Sequence, residues 1–289
     1  MKHRPANRKP ILWTAARAWW SDAAAQDCAA FHWLFIFLLF LASSIAISLP
    51  FGANRWREAA ASSQATQYPG LGYAFETLAN APLSFTVKDG VLQLDPADPQ
   101  TLTTKDWIIE LGMDKNHAGD TQKVLQFSPT ALLIRNGITG TQVSSSLKPF
   151  EGFSSNTIKK AAENRRTLSD LIEGILYTAA FSSIPSVLLT LGLLMLVQNL
   201  AFVVILGIML SFAVYGKAPG TAEAQEKIKP LQGIKMAAAI MAGPAFLIGL
   251  VGLFIPAFKA PFLWLAYSLL AGIRVIMLYT SRYRSARTT

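Results

Sequence analysis

LIEGILYTAAFSSIPSVLLTLGLLMLVQNLAFVVILGIMLSFAVY, running from Leu171 to Tyr215, carries a single charge, Glu173. As one helix it would extend about 67 Å at 1.5 Å per residue, twice the hydrocarbon thickness of a bilayer. It therefore reads as two spans, 174–196 and 200–216, with the polar pair Gln198-Asn199 as the turn between them. Outward from this block lie three more apolar runs. The first, FHWLFIFLLFLASSIAISL, gives a span over 31–50 closed by Pro50, and the others give spans over 236–256 and 261–280. The expected fold class is an α-helical polytopic membrane protein of five spans, with an α+β extramembrane domain inserted between the first and second.

Composition agrees. Hydrophobic residues make up 52% of the 289 and charged residues only 15%, with mean hydropathy +0.35. A soluble domain carries about 25% charged residues. Charge is also unevenly placed. Residues 51–170 hold 12 Lys/Arg and 12 Asp/Glu, while the rest of the chain holds 14 against 5 and so the whole formal +9. The excess sits in the basic, Trp-containing tail 1–30, the polar loop 217–235 and the tail 281–289, where it meets anionic lipid headgroups and sets orientation. Nucleic-acid binding would need it on a folded domain with interleaved aromatics. Trp13, Trp19 and Trp20 point to a tail helix at the interface or packed on the protein, ahead of an uncleaved anchor.

Orientation is harder. With five spans, Lys2, Arg4, Arg8, Lys9, Arg17 and Lys259 fall on one side. Lys217, Lys227, Lys229, Lys235, Arg282, Arg284 and Arg287 fall on the other, so the positive-inside rule finds no excess. The first span then decides: N-terminus cytoplasmic, 51–170 extracytoplasmic, in a bacterial cytoplasmic membrane. An even number of crossings, with Leu171–Ser183 along the interface, would bring the C-terminal arginines to the side of the tail.

The inserted segment reads as alternating short elements. Trp56–Gln67 and Tyr73–Ala79 have helical composition. Leu83–Val87 and Val91–Leu94 flank Lys88-Asp89-Gly90, a hairpin signal, and Ala131–Arg135 and Ile138–Val143 flank Asn136-Gly137, a second hairpin with type I′ turn chemistry. Trp107–Leu111 and Val124–Phe127 are strands, and Ser154–Asp170 is a polar helix. The candidate core is Trp56, Phe75, Leu83, Phe85, Val91, Leu94, Trp107, Ile109, Leu125, Phe127 and Leu133.

Chemistry-bearing motifs are scarce. One cysteine, Cys28, and three scattered histidines (His3, His32, His117) build neither a disulfide framework nor a metal site. Ser145-Ser-Leu-Lys148 fits a serine/lysine pair but is followed by Pro149, and a Ser-rich loop is the plainer reading. Asp114 to Leu125 starts like a calcium loop and lacks the acid at its twelfth position. No catalytic residue, cofactor or metal is expected. Two charges near apolar segments are singled out, Glu173 at the mouth of the second span and Arg274, within snorkelling reach of the interface near the end of the last. Ala238, Ala242, Ala245 and Gly249 form a small-residue stripe, a helix-packing interface, with Ile248 on another face. Pro185 and Pro244 are expected to interrupt their spans.

Ser48-Leu49-Pro50 at the end of the first span, the hairpin Phe85-Thr-Val-Lys-Asp89-Gly90-Val-Leu92, the strand pair around Leu132-Leu-Ile-Arg-Asn-Gly-Ile138 and the closing spans resemble a family of bacterial membrane proteins of unknown function that includes a maltodextrin-utilisation protein, MalA. The resemblance implies an association with sugar uptake and brings no catalytic residues. Two readings follow: a non-enzymatic accessory protein that assembles with or regulates another membrane complex, with a maltodextrin importer as the implied partner, or a transport or lipid-handling component with its own intramembrane pathway.

Overall fold

A computed structural model describes residues 10–114, 121–212, 228–255 and 260–285. The chain divides into two compact units, Met1–Asn54 with Leu188–Thr289, and Arg55–Val187. Nine helices occur among the described residues: α1 (Ile11–Arg17), α2 (Asp22–Asp27), α3 (Trp33–Ser62), α4 (Leu71–Asn80), α5 (Ser155–Ala162), α6 (Arg165–Phe181), α7 (Ile184–Ser211), α8 (Pro230–Phe254) and α9 (Ala260–Ser285). Seven strands lie between α4 and α5 among the described residues: β1 (Ser84–Lys88), β2 (Val91–Asp95), β3 (Gln100–Thr103), β4 (Trp107–Leu111), β5 (Lys123–Phe127), β6 (Ala131–Asn136) and β7 (Thr141–Ser146). Among the described residues four stretches, in α3, α7, α8 and α9, are long and apolar enough to cross a membrane, against the expected five.

The correction lies in the 171–215 block. There is no turn at Gln198-Asn199; α7 is unbroken from Ile184 to Ser211. The break falls at Ser182-Ser183, just ahead of Pro185. Proline in the first helical turn loses no hydrogen bond, because those N–H groups have no intrahelical partner. Pro185 therefore opens a helix instead of interrupting one. On the other side of the break, α6 buries Leu168, Ile172, Ile175, Leu176 and Ala179, a single face at helical spacing. That face belongs to the core of the Arg55–Val187 unit, so the domain runs past the expected boundary at Asp170, and Glu173 is an exposed residue of this unit.

In this unit β1 and β2 form a hairpin, and β3-β4-β5-β6-β7 form a five-stranded sheet in that order, antiparallel except for β4 and β5. Asp89 and Gly90 both have positive φ, as a type I′ turn requires, and their N–H groups donate to the Glu151 carboxylate at 3.0 and 3.2 Å. The second turn differs from expectation. Asn136 pairs with Thr141 and the residue in left-handed conformation is Gly140, so the loop holds four residues and Ile138 is exposed in it. The core is built on Trp107, Phe75, Phe85, Phe127 and Phe153; Trp56 and Val91 are exposed instead. The region 115–120, with most of the calcium-like motif, lies outside the described residues.

In the other unit α8 is the most buried of the four long helices. It starts at Pro230, inside the expected polar loop, with the Lys229 N–H donating to the Gln232 side chain at 2.9 Å. α3 continues past Pro50 to Ser62, since the polar segment behind it has good helix formers. Pro50 has no N–H for the Ala46 carbonyl four residues back. A Cβ added to Gly249 would fall on that carbonyl oxygen, and one on Gly252 would meet the Pro50 ring. The glycine Cα–H therefore takes the place of the missing donor, a weak contact that only glycine permits. Gly207 and Gly233 bring α7 and α8 together in the same way.

Candidate functional site: a groove beside α6

Arg165, Ser169, Glu173 and Tyr177 recur every four residues along α6 and so share one face over about 18 Å. They form one wall of two adjoining cavities within the Arg55–Val187 unit, of about 310 and 610 Å³, which both reach Ala65. The opposite wall is the 3₁₀ turn Ala65–Gln67 with Tyr68, Pro69, Gly70 and the first turns of α4 to Glu76.

Three side chains from the sheet fix that wall. The Trp107 indole N–H and the Lys123 ammonium both donate to the Pro69 carbonyl at 3.2 Å, and the Asn136 amide donates to the Gln67 carbonyl at 2.7 Å. Gly70, at φ +84°, sits against the Trp107 ring, where a Cβ would be crowded and the backbone disfavours other residues. Asn136 is 1% exposed, so a residue that reads as a turn former in the sequence works as a strut for a segment 69 residues earlier.

Tyr68 is 1% exposed and lines the smaller cavity, yet its hydroxyl makes no hydrogen bond. Burial pushes its phenol up to about 12, so it is a neutral group able to donate and accept at any physiological pH. Glu173 lines the larger cavity with Ser63, Gln64 and Thr66. Its position was visible in the sequence as a lone charge, but the groove was not, because its other wall comes from residues a hundred positions earlier.

Ser145 is committed elsewhere. Its hydroxyl lies 2.6 Å from that of Ser182, tying β7 to the end of α6. No group of three or more His, Cys, Asp or Glu among the described residues is placed to hold a metal.

The remaining singled-out residues belong to the other unit. Arg274 is 8% exposed, its Nη2 donates to Asp22 at 2.7 Å and its Nε to the Trp19 carbonyl, and Ser281 donates to the second Asp22 oxygen at 2.7 Å. This fastens the α1–α2 segment to α9. Lys235 donates to the Phe31 carbonyl at 2.6 Å and lies 5.0 Å from the Trp33 ring centroid. Asn199 is 1% exposed; it donates to Ser44 at 2.7 Å and accepts from Tyr267, joining α3, α7 and α9. All four stripe residues are buried, and so is Ile248. An apolar groove of about 750 Å³ runs between α1, α3 and α8, with Gly243 under the Trp19 ring.

Comparison with protein-family models, with curated proteins and with solved structures found no match to this chain.

Proposed function

We propose that this chain is a non-enzymatic integral membrane accessory protein that assembles with or regulates another membrane complex; the family resemblance makes a sugar importer the first partner to test. The observation that carries this reading is how the polar groups of the long-helix unit are used. Arg274, Lys235 and Asn199 each bind another segment of the same chain. A transport pathway needs polar groups turned toward a passage, and these three are committed to holding the bundle closed. The Arg55–Val187 unit, with its groove, is then the part presented to partners.

The number of long apolar helices supports an orientation. With four crossings, Lys2, Arg4, Arg8, Lys9, Arg17, Lys217, Lys227, Lys229, Lys235, Arg282, Arg284 and Arg287 share one side, against Lys259 on the other. The positive-inside rule, balanced for five spans, then favours both tails in the cytoplasm and the Arg55–Val187 unit outside a bacterial cytoplasmic membrane.

Extraction in a mild detergent followed by affinity purification tests the function. A stoichiometric membrane-protein partner is the expected result. Solute flux through the purified chain alone in liposomes would overturn it. The second reading, lipid handling, draws on the apolar groove between α1, α3 and α8; lipid transfer between vesicles by the isolated chain is its signature.

A further inference from the structure

A strand at the end of a sheet turns half its backbone N–H and C=O groups away from its neighbour, and folded chains guard such edges with proline, charge or a very short strand. The two ends of the five-stranded sheet differ in this respect. β3 is four residues long and directly follows Pro99. β7 is six residues, Thr-Gln-Val-Ser-Ser-Ser, with neither proline nor charge.

The antiparallel ladder fixes which groups of β7 face outward. The Leu147 N–H donates to the Thr130 carbonyl at 2.9 Å, and counting back by twos from this pair, Ser145, Val143 and Thr141 exchange bonds with β6. Gln142 and Ser144 therefore point their N–H and C=O groups away from β6. Both residues are exposed, and among the described residues their N–H groups donate to no protein acceptor. Both also line a cleft of about 490 Å³ that lies within the Arg55–Val187 unit, together with residues of α3, the end of α6 and the start of α7. The open edge of β7 is thus one side of a ready-made cleft.

Backbone and side chains together narrow the occupant. A helix pairs its N–H and C=O groups internally, whereas an extended segment offers both at alternate residues and continues the ladder. Ala59, Ala179, Ala180, Ile184 and Val187 give the cleft a short aliphatic lining, matched by small aliphatic side chains on alternate residues of an incoming strand. The charged residues that line it, Arg55 and Glu58, pair with each other at 2.9 Å, so a charged segment would lose water without gaining a counter-charge. Another copy's β7 would bring its own α3 segment with it, and two helices would compete for the space that one strand fills.

We propose that the β7 edge takes up an uncharged, extended peptide segment of another protein as a sixth strand of the sheet. This rests on the accessory reading, in which a partner complex supplies the segment. Binding of a free peptide and copurification of a partner are separate measurements, so either can fail alone.

The full chain in nanodiscs is titrated by fluorescence anisotropy with blocked, labelled heptapeptides that alternate valine with serine. N-methylation of every second residue closes one edge of such a peptide, and methylation of every residue closes both. At least one of the two one-edge peptides should bind within about threefold of the parent, and the fully methylated peptide at least about tenfold more weakly, since its backbone bonds are lost. Lysine or glutamate in place of the serines should not tighten binding. In the protein, Ser144→Pro removes an outward N–H that no ladder bond uses, so the fold should survive while the parent peptide binds about tenfold more weakly. The methylated series uses the wild-type chain and stands whether or not that variant folds. Equal binding of the fully methylated and parent peptides, no saturation by the parent, tighter binding of a charged peptide, or unchanged affinity in folded Ser144→Pro would each overturn the proposal. Dimers of the chain that Ser144→Pro dissociates would do so as well, assigning the edge to a second copy. A copurified partner without peptide binding would leave the accessory role standing and this site refuted; peptide binding without a partner would do the reverse.

Discussion

Arg274 and Asp22 meet across 252 positions of sequence, and their burial is unequal: the arginine side chain is 10% exposed and the aspartate 41%. Removing one partner of a buried pair leaves the other's charge uncompensated, whereas replacing the more buried member by an apolar side chain removes the problem with it. Asp22→Ala should therefore cost about 2 kcal/mol, below the range for fully buried pairs because Asp22 is partly solvated. Arg274→Met should stay within about 1 kcal/mol of wild type. Thermal unfolding in detergent measures both; a larger loss for Arg274→Met would contradict the pairing argument. The sequence could point to Arg274 as a charge among apolar residues, but not to its partner. Asp22 sits in a tail of mixed composition, and only the folded chain brings it to α9.

Among the elements, α8 tolerates the least change. Gly249→Leu places a side chain on the Ala46 carbonyl, with a backbone rather than a flexible side chain as the obstacle. A loss of about 3 kcal/mol or more is expected, the upper range for overpacking. Gly272 on α9 has nothing within 4 Å of its Cβ direction, so Gly272→Leu adds the same atoms to open space. It should be neutral or slightly stabilising through helix propensity. Similar losses at both glycines would refute the close-approach account. Most elements were legible in the sequence: the long apolar runs, the Asp89-Gly90 hairpin and the strands at 107 and 123. The errors share a cause. Gln198-Asn199 and Asn136-Gly137 have turn chemistry, yet Asn199 and Asn136 spend their amides on distant segments, Ser44 and Gln67. Local propensity does not report a long-range hydrogen bond. The true break, Ser182-Ser183 before Pro185, carries an ordinary helix-start signal that was hidden inside an apolar block. β3, Gln100–Thr103, is short and polar enough to pass as loop.

For the whole molecule, crossing number and charge distribution give one testable topology. With Cys28 replaced by serine, Asp98→Cys should react with an impermeant maleimide in intact cells, since Asp98 is exposed in the Arg55–Val187 unit. Asn7→Cys and Thr288→Cys should both stay unlabelled until the membrane is permeabilised. Labelling of Thr288→Cys but not Asn7→Cys would restore an odd number of crossings. Labelling of both tails with protection at position 98 would invert the orientation.

The N-terminal segment is bound to helices made near the end of synthesis: Phe31 accepts from Lys235, 204 residues later, and Trp19 covers Gly243. At a translation rate of 5–20 residues per second, that separation corresponds to about 10–40 s. Throughout this interval the tail has been made and its resting place has not. Trp19 must wait against the bilayer surface or a chaperone, and α8 and α9, on arrival, displace whatever has been holding it. The order in which the ribosome delivers the helices thus makes α9, the last to be made, the one whose arrival completes the docking of the tail through Arg274 and Ser281.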